Sequence, residues 1–106
     1  MSYDTRFNLD TYKARVNINE ILEKEKNFEG LNYAIDSDGS SIDRVKWYTH
    51  EDDMKKLSKK YSNIIFVLEG VGQDDQDIWI KYFKDSKMQV CKAKITFDEY
   101  DENKLE

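Results

Sequence analysis

The chain opens and closes on alternating polar and apolar residues, with helical spacing between. In SYDTRFNL, Tyr3, Thr5, Phe7 and Leu9 interleave with Ser2, Asp4, Arg6 and Asn8, the period of two of a half-buried first strand. NINEILEKEKNF sets Ile18, Ile21, Leu22 and Phe28 near helical spacing. Asn17 or Asn19 stands where a cap is needed, and Gly30 lies just beyond the end. LNYAID then reads as a strand, closed by DSDGSS, whose Asp, Ser and Gly favour turns. IDRVKWY, apolar at Ile42, Val45 and Trp47, favours a strand slightly over a loop. The clearest element is a helix from about His50 to Tyr61, with Met54, Leu57 and Tyr61 as its buried stripe and His50 on the same side.

Three strands follow. NIIFVLEG is an apolar, β-branched run of the kind buried on both faces. DIWIKYFK puts Ile78, Ile80 and Tyr82 on one face and Trp79, Lys81 and Phe83 on the other, and Asp85-Ser86 is short enough for a two-residue hairpin. KMQVCKAKITFDEY sets Cys91, Ala93, Ile95 and Phe97 inward and Lys92, Lys94, Thr96 and Asp98 outward. DENKLE, residues 101–106, reads as a frayed tail. There is no proline, repeat or Gly/Ser linker, so residues 1–106 form a single domain. The element order predicts an α+β fold: a ferredoxin-like antiparallel sheet with two helices packed on one face and a C-terminal strand meander.

Composition narrows the function classes. Fourteen aromatic residues (seven Tyr, five Phe, two Trp) argue for a packed core despite 37% charged residues. The longest apolar run, Ile64–Leu68, is too short to span a bilayer, and MSYDTRFNLD has no signal-peptide core. One cysteine fits a reducing compartment, so a cytoplasmic location, with no membrane, is expected. A net charge of −5 runs against phosphate-backbone binding, which makes direct nucleic-acid binding the lesser expectation. Acids gather in Glu69–Asp77 and Asp98–Glu106, lysines at 55–60 and 81–94.

KWYTHEDDM holds the single histidine beside three carboxylates, a composition that suggests a metal or proton-transfer site. Wound as a helix, Glu51, Asp52 and Asp53 scatter around the axis, and position i+4 from His50 is Met54 rather than a second ligand. Helix initiation accounts for the same residues: Thr49 as N-cap, Asp52 as a short capping-box acid, and three acids at the positive end of the helix dipole. EGVGQDDQD has a G-x-G but four acids and no base, so it repels phosphate, and its spacing is not that of an EF-hand. Cys91 alternates with core positions and reads as a buried thiol. Lysines of the last two strands, with Trp79, Phe83 and Met88, form an alternative basic-aromatic surface for a nucleic acid or small ligand.

Trp47, His50, Glu51, Met54, Leu57, Ser58, Tyr61, Ile78, Trp79, Tyr82 and Phe83 reproduce a recurring pattern. It is a tryptophan, a His-Glu-x-x-Met-x-x-Leu-Ser-x-x-Tyr helix, an apolar strand, a Gly/acid loop and an Ile-Trp-x-x-Tyr-Phe strand. In these residues the chain resembles small uncharacterised phage and mobile-element proteins of Gram-positive bacteria, and its layout resembles the YubB-type ferredoxin-like domain. VGQDDQD is poorer in Glu than the usual loop, and Ser86 replaces a common turn glycine. The likeness covers Trp47–Gln89 and supplies no catalytic residues. Together with the acidic balance and the lack of a catalytic or metal-ligating constellation in the residues, it leads to the expectation of a non-enzymatic protein, without cofactor or metal, that inhibits a bacterial defence system in the manner of an anti-CRISPR. The expected partner is a host protein such as a CRISPR effector or other nucleic-acid-processing complex, met in the host bacterial cell. Glu69, Asp74, Asp75, Asp77, Asp98, Glu99, Asp101 and Glu102 are the expected contact acids, with Trp79 or Tyr82 as an outward aromatic anchor. Either outer strand offers an edge for a second copy, which leaves monomer and homodimer both open.

Overall fold

A computed structural model describes residues 3–41, 43–74 and 76–106. The first strand, β1 (Thr5–Thr11), buries Thr5, Phe7 and Leu9 and exposes Arg6, Asn8 and Asp10, as its alternation requires. Three helices follow: α1 (Ile18–Lys24), α2 (Glu29–Ala34) and α3 (His50–Lys60). Then come β2 (Phe66–Gly72), β3 (Ile78–Lys84) and β4 (Lys87–Lys92). The strands form one four-stranded sheet in the order β1-β2-β3-β4, every neighbour antiparallel. The α+β class and the C-terminal meander are therefore as expected. The sequential order differs from the split βαβ of a ferredoxin-like domain, which needs a parallel pair around an inserted strand.

All three helices lie on one sheet face. The registers Phe7↔Gly70, Leu9↔Leu68, Phe66↔Phe83 and Gly70↔Trp79 put these side chains on that face. Against them pack Ile18, Ile21 and Leu22 from α1, Leu31 and Ala34 from α2, and Met54 and Leu57 from α3, with Ile35 and Trp47 beside them. Gly70 is required here because the Trp79 indole lies directly on it, where any Cβ would stand. The hairpin forms at Asp85-Ser86 with both residues at positive φ (48° and 65°), and the Ser58 hydroxyl accepts the Ser86 N–H at 2.9 Å. That contact compensates a turn without glycine.

Several expectations are corrected. LNYAID is not a strand: Leu31, Ala34 and Ile35 are buried at i, i+3 and i+4 while Asn32 and Tyr33 are exposed, the burial of a helix face. The segment NINEILEKEKNF is broken after Lys24: Glu25 is the C-cap, its N–H bonded to the Ile21 carbonyl and its carboxylate paired with Lys60. Gly30 falls inside α2 rather than past a helix end. NIIFVLEG is buried on one face only, with Glu69 exposed and Val67 half-buried on the other. β4 ends at Lys92, and Ile95 and Phe97 are 56% and 94% exposed instead of entering the core. IDRVKWY is irregular apart from a Thr5↔Val45 bridge, and Ile42 lies outside the described residues. Residues 102–104 form a 3-10 turn, with Asp101 accepting the Asn103 N–H at 3.0 Å.

The sheet's two edges differ. Along β1, Thr5 exchanges both backbone hydrogen bonds with Val45, Leu9 donates to Gly39 O at 2.6 Å, and Ser41 donates to Phe7 O at 3.0 Å. Residues 39–41 and Val45 thus occupy this edge. Gly39, at φ +91° with the Leu9 carbonyl against it, makes the approach possible. Along β4 no segment among the described residues pairs with the outer side.

Candidate functional site

His50 opens α3 on its inward side. Its ring stacks on Trp79 at 5.1 Å and 12° and lies 5.4 Å from Phe7. Nδ1 donates to the Trp47 carbonyl at 2.8 Å, and Nε2 accepts from the Lys81 ammonium at 2.7 Å, which sets the neutral Nδ1–H tautomer. Lys81 is 8% exposed, reaches Glu51 at 2.9 Å and sits 4.1 Å above the Trp79 ring. Burial, foremost, holds the His50 imidazole below its ordinary range, and the nearby Lys81 charge acts the same way. The Lys81 hydrogen bond holds the Glu51 carboxyl below its usual range. Both ring nitrogens are thus engaged within the protein. This cluster joins the start of α3 to β3.

Helix initiation also differs in detail from the expectation. Thr49 occupies the N-cap position, but its side chain makes no capping hydrogen bond. Its hydroxyl donates to Asp53 Oδ2 at 2.9 Å, and the Trp47 indole N–H donates to the same oxygen at 2.7 Å. Asp53, rather than Asp52, is the acid that organises this turn, by clamping Trp47 over the core. Among the described residues no three His, Cys, Asp or Glu side chains group closely enough to hold a metal ion.

The expected contact acids fall into two groups. Glu69 is exposed on the face of β2 opposite the helices, about three residues, or ~10 Å, from the strand's end. Asp74 and Asp77 lie in the loop beyond it, and Asp75 is outside the described residues. The Tyr3 hydroxyl donates to Asp77 Oδ2 and accepts the Asp74 N–H at 3.2 Å, while Gln73 Oε1 accepts the Asp4 N–H at 3.0 Å. The hydrogen bond to Asp77 raises the Tyr3 phenol above its ordinary value. Asp98, Glu99, Asp101 and Glu102 belong to the exposed segment after β4. Because Trp79 pairs with Lys92 and Ala93 N–H donates to Ile78 O, that segment leaves the same sheet end as the 73–77 loop.

Trp79 is buried under His50 and faces the core, so it is not an outward anchor. Phe83 and Lys81 share that covered face and Met88 packs at its margin, which dismantles the basic-aromatic surface expected from these residues. Tyr82 lies on the open face, half-buried, with its ring 5.2 Å from Tyr12. Beside this pair is an open groove of about 430 Å³, with Lys84, Lys87 and Gln89 on its walls. Cys91 is half-buried on the open face opposite Ile80 rather than fully enclosed.

Sequence reasoning missed Tyr3 and Asp4 at the acidic end and Lys81 in the histidine cluster. Only the β1–β2 pairing brings Tyr3 and Asp4 to a loop some 70 positions away. Lys81 did carry a signal, since strand alternation aligned it with Trp79 and Phe83. No helix among the described residues is long and apolar enough to cross a membrane. Comparison with protein-family models, curated proteins and solved structures finds no match to this chain.

Proposed function

We propose that this protein acts by binding, presenting Glu69, Asp74 and Asp77 to a basic, nucleic-acid-binding surface of a host protein. The observation that carries the reading is the gathering of these acids at one end and on the open face of a rigid sheet, in a chain of net charge −5. Tyr3 and Asp77 anchor the loop to the start of β1, so its carboxylates are presented on a fixed frame. Fixed charge of one sign raises the encounter rate with a complementary surface by roughly 10–1,000-fold at low salt. The resemblance of Trp47–Gln89 to phage and mobile-element proteins supports an inhibitor of a bacterial defence system, of the anti-CRISPR type.

Pull-down and interferometry against reconstituted CRISPR effectors and other host nucleases test it, with E69Q, D74N and D77N combined. Loss of on-rate at low salt, with the dissociation rate changed little, is the expected result. A confirmed target bound equally well by the triple variant would sink the acidic mechanism. Salt-sensitive binding of single-stranded nucleic acid, with no protein target, would point instead to the Tyr12–Tyr82 groove with Lys84 and Lys87.

A further inference from the structure

Residues 93–100, AKITFDEY, carry the alternation of a strand and have no strand to pair with among the described residues. β4 pairing ends at Trp79↔Lys92, with one last bond from Ala93 N–H to Ile78 O at 2.9 Å. Every residue from Lys92 to Glu106 is exposed, including Phe97 at 94% and Tyr100 at 77%. The radius of gyration is 16.4 Å, against about 13 Å for a compact chain of this length. An apolar strand pattern held away from its own core leaves large side chains in water and a row of backbone groups unpaired.

We propose that this segment is the interface of a two-fold homodimer. It pairs antiparallel with the same segment of a second copy and joins the two sheets through their β4 edges. The β1 edge is closed by residues 39–41 and Val45, so β4 is the edge that can accept a strand. Charge order selects a second copy, in antiparallel orientation. From β4 through the segment the chain is first basic, at Lys87, Lys92 and Lys94, and then acidic, at Asp98, Glu99 and Asp101. Antiparallel pairing sets the basic half of each copy against the acidic half of the other; parallel pairing would oppose like charges.

Backbone geometry fits one register. Because Ala93 bonds inward to Ile78, the even-numbered residues Val90 and Lys92 turn their N–H and C=O outward. Ile95 opposite Ile95 of the second copy then places Lys92 opposite Asp98 and Ala93 opposite Phe97. On the open face Val71, Ile78 and Ala93 form one row across the sheet. The small Ala93 side chain lies in a hollow of about 160 Å³ shared with Ile78, Ile80 and Cys91. Phe97 of the second copy extends that row and fills the hollow. The inference is independent of the proposed function: Glu69, Asp74 and Asp77 lie outside the paired segment, while Asp98, Glu99, Asp101 and Glu102 are assigned to self-association.

Analytical ultracentrifugation of the full chain tests it. The wild type should sediment as a dimer that dissociates on dilution. K92E and D98K should each weaken the dimer at least about tenfold, since the two-fold creates two like-charge pairs, and the combined variant should restore it. These side chains are exposed in the single chain, so circular dichroism should show unchanged folding. In a Cys91→Ser background, Ile95→Cys should form an intermolecular disulfide under mild oxidation, because facing residues lie within bridging distance. A wild type that stays monomeric at millimolar concentration overturns the proposal. So does a dimer indifferent to both charge reversals, or one that the combined variant does not restore.

Discussion

Replacing His50 by Phe tests the histidine–lysine cluster directly. A phenyl ring preserves the stack on Trp79 but removes the acceptor for Lys81 and the donor to the Trp47 carbonyl. Lys81 keeps the Trp79 ring and Glu51, whose side chain is 42% exposed. Losing a hydrogen bond to a buried charged group costs ~1.5–3 kcal/mol, and the added apolar surface returns about 1. The expected net is about 0.5–2 kcal/mol, or a fall in Tm of roughly 2–15 °C for a domain of this size. The pH dependence supplies a second readout. His50 titrates below its ordinary value of 6.5 in the folded protein. As pH falls from about 6.5 toward that lowered value, the unfolded chain takes up the proton first and stability is lost. Urea unfolding followed by tryptophan fluorescence, at about pH 7.5 and about pH 5.5, should show this loss in the wild type and not in H50F. A variant as stable as the wild type at neutral pH, with the same acid loss, would refute the cluster's role.

Two further substitutions probe the frame. Gly70→Ala puts a methyl group into the Trp79 indole, which must shift and disturb His50 with it; overpacking of this kind should cost ~1–3 kcal/mol in a urea melt. Lys60→Met leaves the Glu25 carboxylate, 3% exposed, without the ammonium that contacts both its oxygens. With Lys60 itself 58% exposed, the loss should be about 1–2 kcal/mol, and adding E25Q should recover part of it in a double-mutant cycle.

Local periodicity determined much of this protein. β1, α3, the meander from β2 to β4 and the turn at Asp85-Ser86 follow from side-chain spacing over six to eleven residues, enough to separate a period of two from one of 3.6. The inward placement of His50 and the facing of Lys81 with Trp79 were legible in the same way. LNYAID was not, because its four apolar residues suit either period, Leu31, Tyr33 and Ile35 a strand and Leu31, Ala34 and Ile35 a helix, and packing against α3 chose the helix. Sheet order was not legible either, since no local pattern tells β1 to lie beside β2 and bring Tyr3 to Asp77. The same limit applies after Lys92: the strand signal in AKITFDEY is real, but a strand exists only where another backbone meets its hydrogen bonds. Sequence alone sets which segments can become strands or helices and which side of each is apolar. The tertiary structure decides which edges find partners, because that depends on contacts between residues far apart in the chain.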